Sequence, residues 1–303
     1  MPWYDELDAL AAERFPDMEI LREEPMDRHT TFRIGGPARR MVRPASEESC
    51  AALLDAADAA GWPVLMVGNG SNLLVDDGGL DCLVVHTGRL DGVERTGAEA
   101  IRAQAGLGLA RLASFAQREG LGGLEFAHGI PGSLGGAVSM NAGAYGGELA
   151  QVVTAAAVWL PGRGILRLDR EHLCFGYRRS LLSSRRGAVL AAEFSLQAKD
   201  PEEIRSLMEE LSRRRREKQP LEFPSAGSIF KRPAGHFAGA LIEQCGLKGA
   251  RVGGAQVSDK HAGFIINTGG ATSADVRALI RQIQCVVREK TGVELEPEVK
   301  MAP

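Results

Sequence analysis

Between Gly129 and Gly147, seven of nineteen residues are glycine and none is charged. Backbone so poor in side chains is useful where it must take a positive φ, or approach a ligand more closely than a Cβ permits. Pro131 fixes one φ inside the run, and Ser133, Ser139 and Asn141 add short polar side chains. Backbone N–H groups left free by such a loop form concave anion sites, most often for phosphate. A flexible linker is the alternative, but linkers are polar and repetitive. This stretch instead interleaves its glycines with Ile130, Leu134, Val138 and Met140, which favour burial. It reads as a ligand-binding loop.

A second glycine-rich site lies upstream. Pro63-Val64-Leu65-Met66-Val67 reads as a short buried strand running into Gly68-Asn69-Gly70-Ser71-Asn72. The loop departs from the dinucleotide fingerprint G-x-G-x-x-G, because Asn72-Leu73 follows where the third glycine belongs, and it lacks the Lys-Ser/Thr of a P-loop. Read alone, GNGSN is equally the signature of a tight turn. Two phosphate-type loops in one chain point to a large dinucleotide spread across them.

The 303 residues suffice for two or three domains. A net charge of −3 and a pI near 6.1 leave no electrostatic footprint for nucleic acid or an anionic membrane. The first fifteen residues are acidic and amphipathic, without the basic and apolar regions of a signal peptide. No apolar run approaches the roughly 20 residues of a membrane span. Cys50, Cys82, Cys174, Cys245 and Cys285 are odd in number, far apart and never CxxC. That pattern fits buried thiols in a reducing cytoplasm, and with no HExxH among six histidines no metal site is expected.

Taken in order, 3–14 reads as a surface helix ending near Pro16, and 38–43 as a strand. Ser46 caps a helix with Glu47 and Glu48 in its first turn and Leu53, Leu54 and Ala57 inward, closed by Gly61. With the strand at Val64 this forms a strand–helix–strand unit delivering GNGSN. Leu83-Val84-Val85 is a further buried strand, 93–104 a hairpin turning near Gly97, and 109–119 a helix stopped by Gly120. Beyond the glycine run, Pro161-Gly162-Arg163-Gly164 turns a hairpin, and 188–196 is the last strand of this half. Asp200-Pro201-Glu202-Glu203 opens a helix with Ile204, Leu207, Met208 and Leu211 as its buried stripe, ending at Arg213 to Arg216. Those arginines read as charges set against a helix C-terminus in water. Residues 237–245 read as helical, 262–267 as a strand, and 273–290 as a helix with Val276, Leu279, Ile280, Ile283 and Val287 inward. Strict alternation from Val293 to Met301 puts Glu294, Glu296, Glu298 and Lys300 on one solvated face of a strand, at an edge because of Pro297. Composition shifts near 199–200, separating a strand-rich, glycine-bearing part from an α+β part.

GNGSNLLV, GIPGSLGGAVSMNAGAYGGE, GYRRS, PSAGSIFKRP, ALIEQCGLKGARVGGAQVSDKHAGFIIN and LEPEV, in that order from about Thr30 to Val299, closely resemble the UDP-N-acetylenolpyruvoylglucosamine reductase (MurB) family. The resemblance implies an α+β chain: a two-part FAD-binding fold of the vanillyl-alcohol-oxidase/PCMH type (1–88 and 89–199), then a C-terminal substrate-binding domain (200–303). It implies non-covalent FAD, NADPH as co-substrate, a UDP-sugar substrate and a cytoplasmic enzyme of peptidoglycan precursor synthesis, here expected to be a monomer. Tyr4, Tyr145 and Tyr177 are the only tyrosines, and none follows GYRRS, so the chain resembles the shorter type lacking a substrate-covering tyrosine loop. Gly263 stands where HAxFIIN usually carries asparagine.

Carried over residue by residue, the resemblance makes Arg178 the catalytic arginine, Ser228 the proton donor and Glu298 the catalytic acid. Tyr177 and Lys231 would face the substrate. FAD would lie on Gly68, Asn69, Gly70, Ser71 and Asn72, and on Gly129, Pro131, Gly132, Ser133, Gly136, Ala137, Asn141 and Gly143. The chemistry suits these types. Hydride added to the terminal carbon of an enolpyruvyl ether builds negative charge on the neighbouring carbon and its carboxylate. A guanidinium fork matches that charge better than an ammonium, and so basic a carbon takes a proton even from a serine hydroxyl. A carboxylate beside a dianion repels it unless the glutamate is held protonated. From pattern alone, Arg178 and Arg179 are equally surface charges, Ser228 a turn serine, and Glu298 no different from its neighbours.

Overall fold

The computed structural model describes residues 2–15 and 18–302. Pro16 lies outside the described residues, and the helix expected over 3–14 ends at Arg14. The backbone gathers into two compact units. The first comprises Met1–Arg22, Arg39–Asn69 and Cys82–Arg214, and the second Glu23–Ala38, Gly70–Asp81 and Arg215–Pro303.

In the first unit, helix α1 (Trp3–Arg14) buries only Leu7 and Ala11. Its Asp8 receives the Arg40 guanidinium through Nε and Nη2, both at 2.9 Å. Helix α2 (Glu47–Ala59) starts where Ser46 predicts it. Ser46 Oγ accepts from the Ser49 N–H, Ser49 Oγ accepts from the Ser46 N–H, both at 3.1 Å, and two otherwise unpaired donors are satisfied. Val64–Val67 pairs in parallel with Leu80–His86, from Val64 opposite Leu83 to Val67 opposite His86. It is half-buried over most of its length rather than fully buried as expected, and Leu80–His86 stands between it and Pro37–Arg43 in the sheet. A five-stranded antiparallel sheet in the order Gly164–Asp169, Val153–Leu160, Ala188–Ser195, Ala100–Gln104, Val93–Gly97 supports the glycine-rich segment. Helix α3 (Leu109–Arg118) packs Leu109, Leu112, Ala113 and Ala116 into its core. Helix α5 (Pro201–Lys218) is capped by Asp200, whose Oδ1 accepts from the Glu202 N–H at 2.7 Å. It runs past the arginines, and only Ile204 and Met208 of its expected stripe are buried. Leu207 is exposed, because this helix contributes one narrow edge to the core.

The second unit is an antiparallel sheet in the order Ser225–Ser228, Phe264–Asn267, Ala255–Val257, Arg251–Val252, with helices α6 (Ala238–Gln244) and α7 (Ser273–Thr291). All five expected inward residues of α7 are buried, each stabilising the fold by about 1.5–3 kcal/mol. Thr272 and Asp275 close a capping box at its start, and Gly292 at φ 73° ends it. The alternating tail differs from expectation. Only Lys300–Ala302 is a strand, paired in parallel with Leu73–Val75, while Pro297 makes a single bridge to Phe230. Glu294, Glu296 and Lys300 are exposed, but Glu298 is partly covered.

The cysteines correct the expectation of buried thiols. All five are free, but only Cys50 and Cys245 are buried; Cys174 and Cys285 are exposed. Burial pushes the Cys50 thiol up to about 12, whereas the Glu289 carboxylate, 3.2 Å from Cys285 Sγ, raises that thiol by hydrogen bonding. A thiol-specific disulfide reagent at pH 8 should therefore react first with Cys174, more slowly with Cys285, and with Cys50 only after unfolding. Mass-spectrometric mapping of the labelled sites over time checks this, and early labelling of Cys50 would contradict it.

Candidate active site

The two glycine-rich stretches meet inside the first unit. A Cβ on Gly68 would lie 1.8 Å from Ser133 Oγ and 2.9 Å from Ser133 Cβ, so only glycine lets the first loop rest on the second. Backbone bonds pin the second loop along 105–109: Leu109 N–H to Gly132 O at 3.0 Å, Leu134 N–H to Leu107 O at 2.9 Å and Gly135 N–H to Ala105 O at 2.7 Å. Past Ser133 the chain is not open loop but the short helix α4 (Leu134–Ser139), which buries Leu134, Ala137 and Val138.

Some glycines here serve protein packing. A Cβ at Gly143 would meet Gly147 O at 2.5 Å, and one at Gly147 would meet Phe126 Cδ1 at 2.5 Å. Within 129–147 only Gly146 among the glycines takes a positive φ. Gly136 is different. It lies in a helix, where glycine is destabilising by about 0.5–1 kcal/mol relative to alanine. It is exposed, and its nearest atom to an added Cβ is Ser133 Oγ at 3.9 Å. Nothing in the protein requires glycine there. A side chain would fill open ground beside the place where the loops meet, and glycine there suits the close approach of a dinucleotide to the backbone.

Arg178 sits at the tip of a tight turn. Gly176 N–H donates to Arg179 O at 3.1 Å and Arg179 N–H returns the bond to Gly176 O at 3.2 Å, leaving Tyr177 and Arg178 as the two tip residues. Arg178 takes φ 53°, a left-handed conformation that a long side chain adopts only under constraint. A Cβ at Gly176 would lie 2.5 Å from Nε of the exposed Arg179, whose side chain would have to shift. Arg179 is exposed whereas Arg178 is half-buried, with Cζ 5.7 Å from the Tyr177 ring centroid. Tyr177 itself is 58% exposed. Asn141 is expected at the cofactor, yet both ends of its side-chain amide bind protein: Nδ2 donates to Gly176 O at 3.1 Å and Oδ1 accepts from Ala150 N–H at 2.9 Å.

In the second unit, four residues from Ser225 to Ser228 oppose three from Ile266 to Phe264, a bulge with Gly227 at φ 74°. Such an extra residue re-aims the side chain that follows it, and Ser228 is exposed. Ser228 and Glu298 are brought together: the Glu298 N–H donates to Ile229 O at 2.7 Å, and Asn72 Nδ2 donates to Glu298 O at 3.0 Å. Asn72 thus anchors the Glu298 backbone. Gly70, at φ 57°, would place a Cβ 2.0 Å from His29 O, and Ser71 is half-buried beside it. Lys231 Nζ is ion-paired with Glu296. Gly263 accepts the Ile229 N–H through its carbonyl, and a Cβ there would lie 2.9 Å from His261 Cε1. Sequence reasoning passes over Ser180, Gly176 and Gly227. The signal for Ser180 was its place closing GYRRS, where its Oγ donates to Ser139 O at 2.8 Å.

Residues 38–169 match the model of an FAD-binding domain, and residues 219–302 that of the UDP-N-acetylenolpyruvoylglucosamine reductase C-terminal domain. The UDP-N-acetylenolpyruvoylglucosamine reductase of Caldanaerobacter subterraneus is 50% identical over 289 residues, covering 93% of this chain and 95% of that protein. That of Pediococcus pentosaceus is 46% identical over 295 residues, covering 97% and 98%. The crystal structure of the Thermus caldophilus reductase superposes with a TM-score of 0.79 at 36% identity, over 94% of this chain and 99% of that one. The chain belongs to the UDP-N-acetylenolpyruvoylglucosamine reductase (MurB) family.

Proposed function

We infer that the protein reduces UDP-N-acetylglucosamine-enolpyruvate to UDP-N-acetylmuramate with NADPH through non-covalently bound FAD, a step in peptidoglycan precursor synthesis. Its fold is α+β, with an FAD-binding part of the vanillyl-alcohol-oxidase/PCMH type and a C-terminal domain. The observation that carries the reading is the near-full-length identity to such reductases, with Arg178, Ser228 and Glu298 all present. No helix among the described residues is long and apolar enough to cross a membrane. A monomer in the cytoplasm, where nucleotide sugars are made, is the working form we propose, with FAD bound by residues 1–199 and substrate by 200–303 together with Tyr177 and Arg178.

When bound, FAD carries hydride from NADPH to the terminal carbon of the enolpyruvyl group. The protein's part is to hold the rest. Gly68, Asn69, Gly70, Ser71 and Asn72 offer the cofactor one glycine-rich approach. Gly129, Pro131, Gly132, Ser133, Gly136, Ala137 and Gly143 offer the other. The Arg178 guanidinium pairs with the substrate carboxylate and stabilises the charge that develops as hydride arrives. The Ser228 hydroxyl gives its proton to the adjoining carbon and is reprotonated from solvent. Tyr177, exposed at the tip beside Arg178, offers its ring and hydroxyl to the sugar nucleotide. Lys231 turns from Glu296 to the diphosphate.

Glu298 acts protonated, as a hydrogen-bond donor near the developing anion. Glu298→Gln keeps a donor at this position, so it should retain activity within about tenfold of wild type, while Glu298→Ala loses roughly 10²-fold or more. Steady-state rates of both variants check the protonation state, and complete loss in Glu298→Gln would refute it. The function as a whole is tested by anaerobic titration of the yellow protein. NADPH should bleach it and the enolpyruvyl substrate restore the colour. A colourless protein that takes up no FAD would overturn the reading. An alcohol or sugar oxidase of the same flavin fold would instead be reduced by an alcohol, often with FAD tethered through histidine, so release of flavin on denaturation separates the two.

A further inference from the structure

We propose that Asn141 and Ser180 are positioning residues that fix the Arg178 turn onto the end of α4. The turn is held at both its ends. At one, Gly176 O accepts the Arg179 N–H with one lone pair, and Asn141 Nδ2 at 3.1 Å with the other. At the other, Ser180 Oγ donates to Ser139 O at 2.8 Å, a carbonyl in the last turn of α4 that lacks a helical partner. Both anchors are buried, Asn141 being 1% and Ser180 6% exposed.

Asn141 is itself fixed. Its backbone takes φ 46°, which asparagine tolerates better than most residues, and its Oδ1 accepts the Ala150 N–H at 2.9 Å. The orientation of the amide follows, because its nitrogen faces a carbonyl and its oxygen an N–H. Among the described residues, four of the six non-glycine positions with positive φ, Asn141, Tyr145, Cys174 and Arg178, lie in this loop pair. Backbone held in such conformations persists only where neighbours over-determine it. Asn141 and Ser180 supply that determination, and through it the direction of the Arg178 guanidinium.

This inference rests on the catalytic role proposed for Arg178, and the test separates the two. Asn141→Asp keeps the acceptor for Ala150 N–H but replaces the donor to Gly176 O with a repelling carboxylate oxygen. In the FAD-loaded protein it should lower kcat for the enolpyruvyl substrate about 10–100-fold, with flavin content unchanged. Amide exchange at 177–179 should speed up by a similar factor. In the Arg178→Ala background the same substitution should add less than about twofold, because a guanidinium already removed has no position to lose. Ser180→Ala should repeat the pattern, and it decides the matter if Asn141→Asp fails to fold. Multiplicative losses in the double variant, or flavin lost from Asn141→Asp alone, would overturn the proposal. A fully active Arg178→Ala would instead remove the role of Arg178, while exchange at 177–179 would still report whether Asn141 holds the turn.

Discussion

Ser228→Ala should keep its FAD and be bleached by NADPH at close to the wild-type rate. Its reoxidation by the enolpyruvyl substrate should slow by about 10²–10⁴-fold, the usual loss with a missing general acid. The asymmetry follows from where the proton is needed. Hydride arriving from NADPH requires no acid at position 228, whereas the substrate carbon beside the carboxylate must be protonated before product can form. Ser228 is exposed and ends the bulge set by Gly227, so losing its hydroxyl removes no buried packing. Stability should stay within about 0.5 kcal/mol of wild type, as for ordinary surface changes. Ser228→Cys, with a more acidic thiol, should recover part of the rate. Stopped-flow absorbance at the flavin band separates the two half-reactions. Equal slowing of both would mean that Ser228 positions the cofactor, and its role as proton donor would fall.

Local signals carried the fold where the causes were local. The cap at Ser46, the αL stop at Gly292 and the five inward residues of α7 all depend on residues within a turn or two of one another. So do the hairpin of 93–104 and the Pro161-Gly162-Arg163-Gly164 turn. The misses had distant causes. Lys300–Ala302 pairs with Leu73–Val75, more than 200 residues away, and no alternation within 293–301 can announce a parallel partner. Leu207 matches its stripe by spacing, but the core beneath α5 reaches only Ile204 and Met208. Exposure of Cys174 and Cys285 is likewise set by which face of the fold each occupies.

The candidate site divides in the same way. Pattern alone could not tell Arg178 from Arg179, or Glu298 from Glu296; the quoted motifs singled them out. The structure adds physical differences between these neighbours: φ 53° and partial burial at Arg178, and the Asn72 bond to the carbonyl of Glu298. The two glycine-rich stretches were legible as a pair, and Gly68 does rest on Ser133. What composition could not give is which glycines serve the protein and which are left for a ligand, since that depends on the atoms facing each absent Cβ.

Gly136→Leu should yield a folded protein without flavin. At Gly143 and Gly147, by contrast, a side chain would strike protein. Gly147→Leu, aimed at Phe126 from 2.5 Å, should cost stability by about 1–3 kcal/mol through overpacking. At Gly136 the nearest obstacle to an added Cβ is 3.9 Å away and φ is not positive, so the Cβ of leucine meets no clash and the substitution favours the helix by about 0.8–1 kcal/mol. The apo form of Gly136→Leu should therefore melt at or slightly above apo wild type, by about 2–4 °C. Its flavin affinity should nevertheless fall at least about 10²-fold, because an isobutyl group occupies the space the cofactor backbone needs. Gly136→Ala, with a single methyl, should lose less affinity and gain the same helical stability. Flavin released by denaturation, measured per mole of protein, together with the apo melting temperatures, distinguishes a blocked cradle from a damaged fold. Wild-type flavin content in Gly136→Leu would show that the cofactor does not pass over this residue, and the open ground beside Ser133 would need another explanation.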